Sequence, residues 1–296
     1  MKRAGRIKGR DEGVPALASI HPSAARWIGA LIRMTSPHPA MGQILDAVER
    51  LQDRPYRTSC LLLGEPGTGK EGLARALHHL MAPGTPLVRV DLGGFSDDQA
   101  LAALTGLAKD ADGGMLLVEE IGLLSARSQT ALLRLLKGDL LPPSARDHTF
   151  GVPQKQTARH LRLNVVAMSD RSLAAEVAAG RFRHDLYFAL ARIVLTLPPL
   201  RERLQDLAPA CVWIGNRILR TAGRDRELLT AEDFARAAPT EREHAIELRA
   251  DAVTALARHD WPGNFRELET VLERALMLHR QGHAVGASEI EAALIT

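Results

Sequence analysis

Short apolar runs alternate with longer segments of helical period over roughly the first two thirds of the chain. A short apolar run bounded by turn residues is typical of a buried strand, whereas apolar residues three and four positions apart are typical of an amphipathic helix. The alternation predicts an α/β domain with a mostly parallel sheet. The predicted strands are Ser59–Leu63, Leu87–Asp91, Met115–Val118, Leu163–Ala167 and Arg192–Leu197.

Helices are predicted between these strands. Lys70–Leu80 and Ser125–Lys137 each place leucines on one helical face. Leu92–Asp112, which joins the second strand to the third, also contains a helical face, and Ser96 is a suitable N-cap for that helix. Leu140–His160 is rich in proline, polar and basic residues, which predicts a loop.

The strand pattern stops after Pro198 and Pro199, and only helical segments are predicted beyond it. This change indicates a second, all-α domain. The predicted organisation is a basic arm with a short helix at 1–33, an α/β domain at 34–200 and a helical domain at 201–296. The predicted helices of the last part are Leu204–Arg220, Glu241–His259, Phe265–His279 and Ala287–Leu294.

Composition is that of an ordinary soluble globular protein, with 46% hydrophobic and 25% charged residues. The net charge of +3 is too small to indicate nucleic-acid binding, and direct DNA binding is not expected without another chain. Basic residues cluster in Met1–Arg10, where a solvated terminus explains them better than a DNA-binding arm. Two cysteines form neither a disulfide framework nor a zinc cluster. With no long apolar run, the chain is expected to be cytoplasmic and without a membrane partner.

A glycine-rich loop follows the first predicted strand, in the sequence "LLLGEPGTGKE". Glycines let the backbone turn its N–H groups toward phosphate oxygens, and the following helix adds its positive dipole end. Lys70 adds a charge, although Glu71 occupies the position where such loops usually carry Ser or Thr. The predicted phosphate-binding residues are Gly64, Glu65, Pro66, Gly67, Thr68, Gly69, Lys70 and Glu71.

Two acidic residues follow the third predicted strand, in "GGMLLVEEIG". Nucleotide hydrolysis needs one acid for Mg²⁺ and one that orients water, at the carboxyl ends of neighbouring strands. Glu119 and Glu120 are therefore candidates for these two tasks.

Five motifs in order resemble the AAA+ domain of bacterial sigma-54-dependent transcription activators. They are "GEPGTGKE", "ADGGMLLVEEIG", "GRFRHDLY", "LPPLRER" and "WPGNFREL", and the resemblance extends from about Met34 to the C-terminus. It implies a P-loop AAA+ domain with a five-stranded parallel sheet and a smaller helical lid. It also implies ATP and Mg²⁺ as cofactors, and a homo-oligomeric ring that is commonly a hexamer. Glu71 is usual in that family.

The resemblance assigns roles to individual residues. Lys70 matches the lysine that contacts the β- and γ-phosphates, Glu119 the metal acid and Glu120 the acid that polarises water. Arg183 matches an arginine finger that reaches the neighbouring subunit, and Arg266 matches the nucleotide-sensing arginine of the lid.

The start of the helix that carries Arg266 can also be interpreted from its residues alone. Pro262 and Gly263 predict a turn, Asn264 a helix cap and Glu267 the second half of a capping box.

The sequence also departs from the family. Glu119 replaces the family's aspartate, Asp170 its nucleotide-sensing asparagine, Ala189 its second finger arginine and Asp91 a coupling asparagine. Leu92–Asp112 contains no G-A-F-T-G-A segment, the loop with which the family touches the sigma factor. A helix-turn-helix module and a receiver domain are not expected.

Three functions remain open on the sequence. The preferred one is an ATP-binding transcription regulator with residual hydrolysis and no direct sigma-54 remodelling, acting through an unknown protein partner. The second is a nucleotide-dependent scaffold with little turnover. The third is an ATPase motor acting on DNA or another protein.

Overall fold

The computed structural model describes residues 36, 38–49, 58–92, 95–137, 162–278 and 283–295. Predictions for the basic arm and for the 140–160 loop lie outside these ranges. The described chain forms two compact units. Of the described residues, the first unit contains 43–49, 58–64, 70–92, 95–137 and 162–197, and the second contains 36, 38–42, 65–69, 198–278 and 283–295.

A five-stranded parallel sheet forms the centre of the first unit, and its strand order is β2-β3-β4-β1-β5. The predicted α/β class and all five predicted strands are confirmed; β1 and β2 have the predicted bounds, and the other three differ by one or two residues at an end. The strands are β1 (Ser59–Leu63), β2 (Leu87–Asp91), β3 (Met115–Glu119), β4 (Asn164–Ser169) and β5 (Val194–Thr196).

Helices cover the sheet of the first unit. They include most of α1 (Pro39–Glu49), followed by α2 (Lys70–Met81), α3 (Asp97–Asp110), α4 (Ala126–Lys137), α5 (Leu173–Ala178) and α6 (His184–Leu190). Every residue of β4 and the first four of β3 are buried, as is usual for parallel strands covered on both faces. Each fully buried leucine or valine there contributes about 1.5–3 kcal/mol relative to exposure.

The connection from β2 to β3 is a capped helix, as the sequence predicts. Ser96 accepts a hydrogen bond from the Gln99 backbone, and the Gln99 side chain accepts one from the Ser96 backbone. Leu104 and Ala108 of α3 are completely buried in the core of the first unit. Three apolar positions at helical spacing and the N-cap residue Ser96 were therefore enough to predict this element.

The second unit is mainly helical, but the prediction that it is all-α is wrong. Its helices are α7 (Leu207–Thr221), α8 (Ala231–Arg236), α9 (Pro239–Glu243), α10 (Ala250–Leu256), α11 (Asn264–Leu278) and α12 (Ala287–Ile295). A small parallel sheet accompanies them, formed in the order β6 (Glu227–Thr230), β7 (Ala245–Leu248) and β8 (Ala284–Val285).

The error has a physical cause in the segment predicted as one helix, Glu241–His259. This segment contains the end of α9, all of β7 and all of α10. β7 has only four residues, so alternation along it is too short to distinguish a strand from a helical turn. Its pairing with β6 and β8 is a tertiary interaction that a local pattern does not contain.

In the described part of the chain, no helix is both long and apolar enough to cross a membrane.

Candidate functional site

The glycine-rich loop has the backbone conformation that its sequence predicts. Gly67 and Gly69 have positive φ angles of 79° and 103°, which glycine adopts without steric cost. The Thr68 hydroxyl donates to the Glu65 carbonyl at 2.8 Å and closes the turn within the loop. In the first unit, Lys70 begins α2, and its Nζ donates to the Gly64 carbonyl at 2.6 Å.

Residues 65–69 pack within the second unit, where Asn264 holds them. Asn264 is completely buried and has a left-handed backbone, with φ of 52°. Its Nδ2 donates to the Pro66 carbonyl at 3.0 Å and to a Glu65 carboxylate oxygen at 3.2 Å. Its Oδ1 accepts from the Leu200 backbone N–H at 2.7 Å. One amide side chain thus ties the glycine-rich loop to the start of the C-terminal segment.

These contacts correct the predicted helix cap. Asn264 does not cap α11, because its side-chain oxygen is used by Leu200. Glu267 accepts instead from the Gly263 backbone N–H at 2.8 Å.

The start of α11 lies directly on the loop. Phe265 donates its backbone N–H to the Gly67 carbonyl at 3.0 Å. A Cβ on Gly67 would lie 2.2 Å from the Gly263 carbonyl oxygen and 3.3 Å from Cβ of Arg266. Only glycine permits this approach, which brings the exposed Arg266 beside the loop.

Two arginines of "LPPLRER" also support the loop, and the sequence analysis missed both. Arg201 forms a two-point ion pair with Glu65, at 2.6 and 2.8 Å. Hydrogen bonds from Arg201 and then from Asn264 lower the pKa of Glu65 to about 2, so Glu65 is ionised at neutral pH. Arg203 is buried, donates to the Thr68 carbonyl at 2.7 Å and lies over the Phe265 ring. Burial lowers the pKa of Arg203 to about 10, which leaves it charged at neutral pH.

In the first unit, Glu119 is paired with Arg89 of β2. Nε and Nη2 of Arg89 donate to the two carboxylate oxygens of Glu119, the second at 2.9 Å. Nη1 of Arg89 donates to Glu71 at 2.7 Å, and Glu71 also accepts from Arg75 at 3.1 Å. Because both Glu119 oxygens already accept from a guanidinium, this carboxylate does not fit a metal ligand in this conformation. Assignment of Mg²⁺ to Glu119 stays a prediction.

The structure brings Glu120 and Asp170 together. They follow the neighbouring strands β3 and β4, and their carboxyl groups lie close enough to interact. Glu120 has a left-handed backbone, with φ of 52°. Burial raises the pKa of Glu120, the negative charge of Asp170 raises it further, and Lys70 opposes the shift. Lys70, Glu120 and Asp170 therefore form one electrostatic cluster, as expected if all three face the same phosphate groups.

Replacement of Asp170 by Asn is expected to stabilise the protein at neutral pH. Since the folded-state pKa of Glu120 is raised, its contribution to stability is present below the ordinary glutamate pKa and is lost as pH rises through the folded value. Removing the negative charge of Asp170 makes ionisation of Glu120 less unfavourable in the folded protein, and so reduces this loss of stability. The melting temperature of Asp170→Asn should exceed that of the wild type at pH 7, and by a smaller margin at pH 4.5. Asp225→Asn, which removes an exposed acid of the second unit, is the control. An increase in melting temperature that is equal at both pH values, or that also appears in Asp225→Asn, would contradict the coupling between Asp170 and Glu120.

Arg183 lies immediately before α6 and is exposed. Its Nε and Nη2 pair with Asp185 at 2.9 and 2.7 Å, and its Nη1 donates to the Thr130 hydroxyl at 3.3 Å. The bond from Arg183 is the main cause of the low pKa of Asp185, about 2. Buried Gln129 accepts from the Arg183 backbone N–H at 2.8 Å and fixes the base of this side chain. The predicted finger is thus presented at the surface and held by local partners.

A parallel sheet of this order, with a glycine-rich loop between β1 and α2, defines the chain as an α/β P-loop AAA+ protein. The Sigma-54 interaction domain family matches residues 34–196, and the AAA+ ATPase lid domain matches residues 221–296. The chain belongs to the family of the sigma-54 interaction domain.

Relatives in this family are transcription regulators. The chain is 31% identical over 276 residues to the Nif-specific regulatory protein of Klebsiella oxytoca, covering 88% of this chain and 47% of that protein. It is 34% identical over 261 residues to the response regulator protein FleR of Pseudomonas aeruginosa, covering 82% and 49%. The chain thus spans about half the length of these curated relatives.

Solved structures share the fold. NtrX from Brucella abortus in complex with ADP has a TM-score of 0.68 and 23% identity, covering 90% of this chain and 56% of that one. The complex of the same protein with ATP has a TM-score of 0.67 and 24% identity, covering 86% and 53%. The predicted P-loop AAA+ fold is confirmed by these structures.

Proposed function

We propose that this chain is an ATP-binding regulator of transcription that hydrolyses ATP slowly and does not remodel sigma-54 directly. ATP is supported by the loop conformation, by Lys70 at the start of α2 and by the ADP and ATP complexes of NtrX, a protein of the same fold. Helix starts and glycine-rich loops bind phosphate through backbone N–H groups, and lysine adds a point charge.

Slow hydrolysis follows from the chemistry around Glu120. A carboxylate that polarises water acts in its ionised form, whereas burial and the charge of Asp170 raise the pKa of Glu120 and so disfavour that form. Arg183 is present, but Ala189 occupies the position of a second finger. One arginine finger contributes about 10³–10⁵ to the rate in nucleotide hydrolases, so a single finger is compatible with residual turnover.

The proposal that the chain does not remodel sigma-54 is supported mainly by the helix α3. After β2 ends at Asp91, α3 occupies Asp97–Asp110 and β3 begins at Met115. In the described part of this connection, the chain is a short helix whose apolar face is buried in the core. A protruding loop for a sigma factor is therefore not expected here, and the partner is proposed to be another protein.

Turnover is expected to require two subunits, because Arg183 is exposed and acts on a neighbour in the proposed ring. Head-to-tail contacts of this kind close into cyclic oligomers, and a hexamer is the proposed form. ATP hydrolysis per subunit should therefore rise with protein concentration, in parallel with the mass measured by light scattering. A rate per subunit that is constant while only monomer is present would contradict hydrolysis across an interface and favour a scaffold with little turnover.

Arg183→Ala should lower the specific activity by about 10³-fold, or to the detection limit. Arg181→Ala is the matched control, since Arg181 lies two residues away and is an exposed arginine paired with Glu176. Steady-state phosphate release at a fixed, high protein concentration compares the two variants. Equal losses in both would show that a general change of surface charge, rather than a finger, is responsible.

A further inference from the structure

Arg89 joins two acidic residues, Glu71 directly after the loop lysine and Glu119 at the end of β3. Its side chain starts from β2, reaches Glu119 with two nitrogens and contacts Glu71 with the third. The side chains of Arg89 and Glu119 are only 27% and 17% exposed. Two-point guanidinium–carboxylate pairs with limited exposure are among the stronger and more directional ion pairs in proteins.

The two acids occupy the positions at which P-loop proteins bind magnesium. The residue after the loop lysine normally supplies a hydroxyl to Mg²⁺, and the acid at the end of the neighbouring strand supplies a carboxylate. In this chain the first position is Glu71 and the second is Glu119, and one guanidinium engages both. Mg²⁺ demands near-ideal octahedral oxygen coordination, which a carboxylate with both oxygens bonded to arginine does not offer.

The other acidic residues in the described part of the chain form no alternative metal site. Among the residues that the structure describes, no group of three or more His, Cys, Asp or Glu side chains is arranged to hold a metal ion.

We propose that Arg89 takes the place of the divalent ion at this site, so that ATP binds with little dependence on Mg²⁺. The inference rests on the proposed binding of ATP at the loop. Arg89 offsets the charges of Glu71 and Glu119, which would otherwise repel a polyphosphate. Removing Arg89 leaves Glu119 without its guanidinium partner and Glu71 with Arg75 alone, and ATP affinity then depends on a metal ion to neutralise these carboxylates.

The test is calorimetric titration of the full chain with ATP, once with EDTA and once with excess Mg²⁺. For the wild type the two dissociation constants should agree within about threefold. Arg89→Met should bind ATP at least about tenfold more weakly in EDTA and recover with Mg²⁺. Arg75→Met is the matched control, because Arg75 contacts Glu71 but not Glu119 among its described hydrogen bonds, and it should behave as the wild type.

Glu119→Gln keeps the test decisive if Arg89→Met fails to fold. Under the proposal, Glu119→Gln leaves the affinity for ATP with Mg²⁺ unchanged, because Glu119 is not a metal ligand. Either of two results would overturn the proposal: a wild-type affinity that falls at least about tenfold on chelation, or a loss of that size in Glu119→Gln with Mg²⁺ present. A folded wild type that binds no ATP under either condition would instead overturn the proposed function, and this inference with it.

Discussion

Lys70→Ala is expected to abolish ATP binding while leaving the protein folded. Lys70 supplies the point charge of the loop, at the first residue of α2, and its Nζ lies 2.6 Å from the Gly64 carbonyl oxygen. Loss of a charge-assisted contact with phosphate is expected to weaken binding by at least about 100-fold. Because the side chain is only partly buried and serves the loop rather than the core, circular dichroism and the melting temperature should change little.

Calorimetry with ATP is the measurement for this variant. Lys109→Ala, which removes an exposed lysine near the end of α3, controls for the loss of one positive charge. Unchanged ATP affinity in Lys70→Ala would remove the assignment of phosphate binding to this loop. A parallel loss in Lys109→Ala would show that only net charge matters.

Asn264→Ala is expected to cost about 2–4 kcal/mol of unfolding free energy, mainly through the second unit. The substitution leaves the buried Leu200 N–H without its acceptor, which costs about 1–3 kcal/mol. The Pro66 carbonyl also loses its side-chain donor, but Pro66 is exposed and water can replace that donor. Alanine at φ of 52° adds about 1 kcal/mol of backbone strain, since asparagine tolerates the left-handed region better than alanine.

Denaturant unfolding of Asn264→Ala and Asn264→Gly separates these two causes. Glycine removes the same hydrogen bonds but adopts the left-handed backbone without strain, so its cost should be smaller by about 1 kcal/mol. ATP affinity should fall in both variants, because residues 65–67 lose their anchor. A total cost below about 1 kcal/mol for Asn264→Ala would contradict the role assigned to its hydrogen bonds.

The features that the sequence predicted correctly are those that depend on residues close together in the chain. The five strands are apolar runs bounded by turns, and α3 is specified by Ser96, Gln99 and three apolar positions. The loop was predictable because Gly67 and Gly69 are needed for the positive φ angles that they adopt. In each case the physical cause lies within a few residues of the element it shapes.

The features that were missed depend on residues far apart in the chain. Arg89 and Glu119 meet because β2 and β3 are neighbours, and their spacing in sequence gives no sign of it. Arg201 and Arg203 act on Glu65 and Thr68, more than a hundred positions away. The motif "LPPLRER" marked these arginines as features of the resemblance but did not indicate what they contact.

Asn264 was correctly singled out from the sequence, but its predicted role as a helix cap was wrong. A polar residue after a Pro-Gly turn and three positions before Glu267 fits a capping box. In the structure, the buried N–H of Leu200 donates to the amide oxygen of Asn264, and the amide nitrogen donates to the Pro66 carbonyl, so the side chain is already used. The small sheet formed by β6, β7 and β8 was missed for a related reason, since its pairing is tertiary.

Gel filtration of the full chain with sigma-54, in the presence of ADP and aluminium fluoride, tests the proposed function most directly. This mixture mimics the transition state of ATP hydrolysis, the state in which an activator with a protruding loop is expected to hold the sigma factor. A family member that contains the G-A-F-T-G-A segment serves as the positive control. Because α3 fills the described connection between β2 and β3, the chain and sigma-54 should elute as separate peaks with and without the mimic. Co-elution that appears only with the mimic would contradict the proposal and assign the chain a direct activator role.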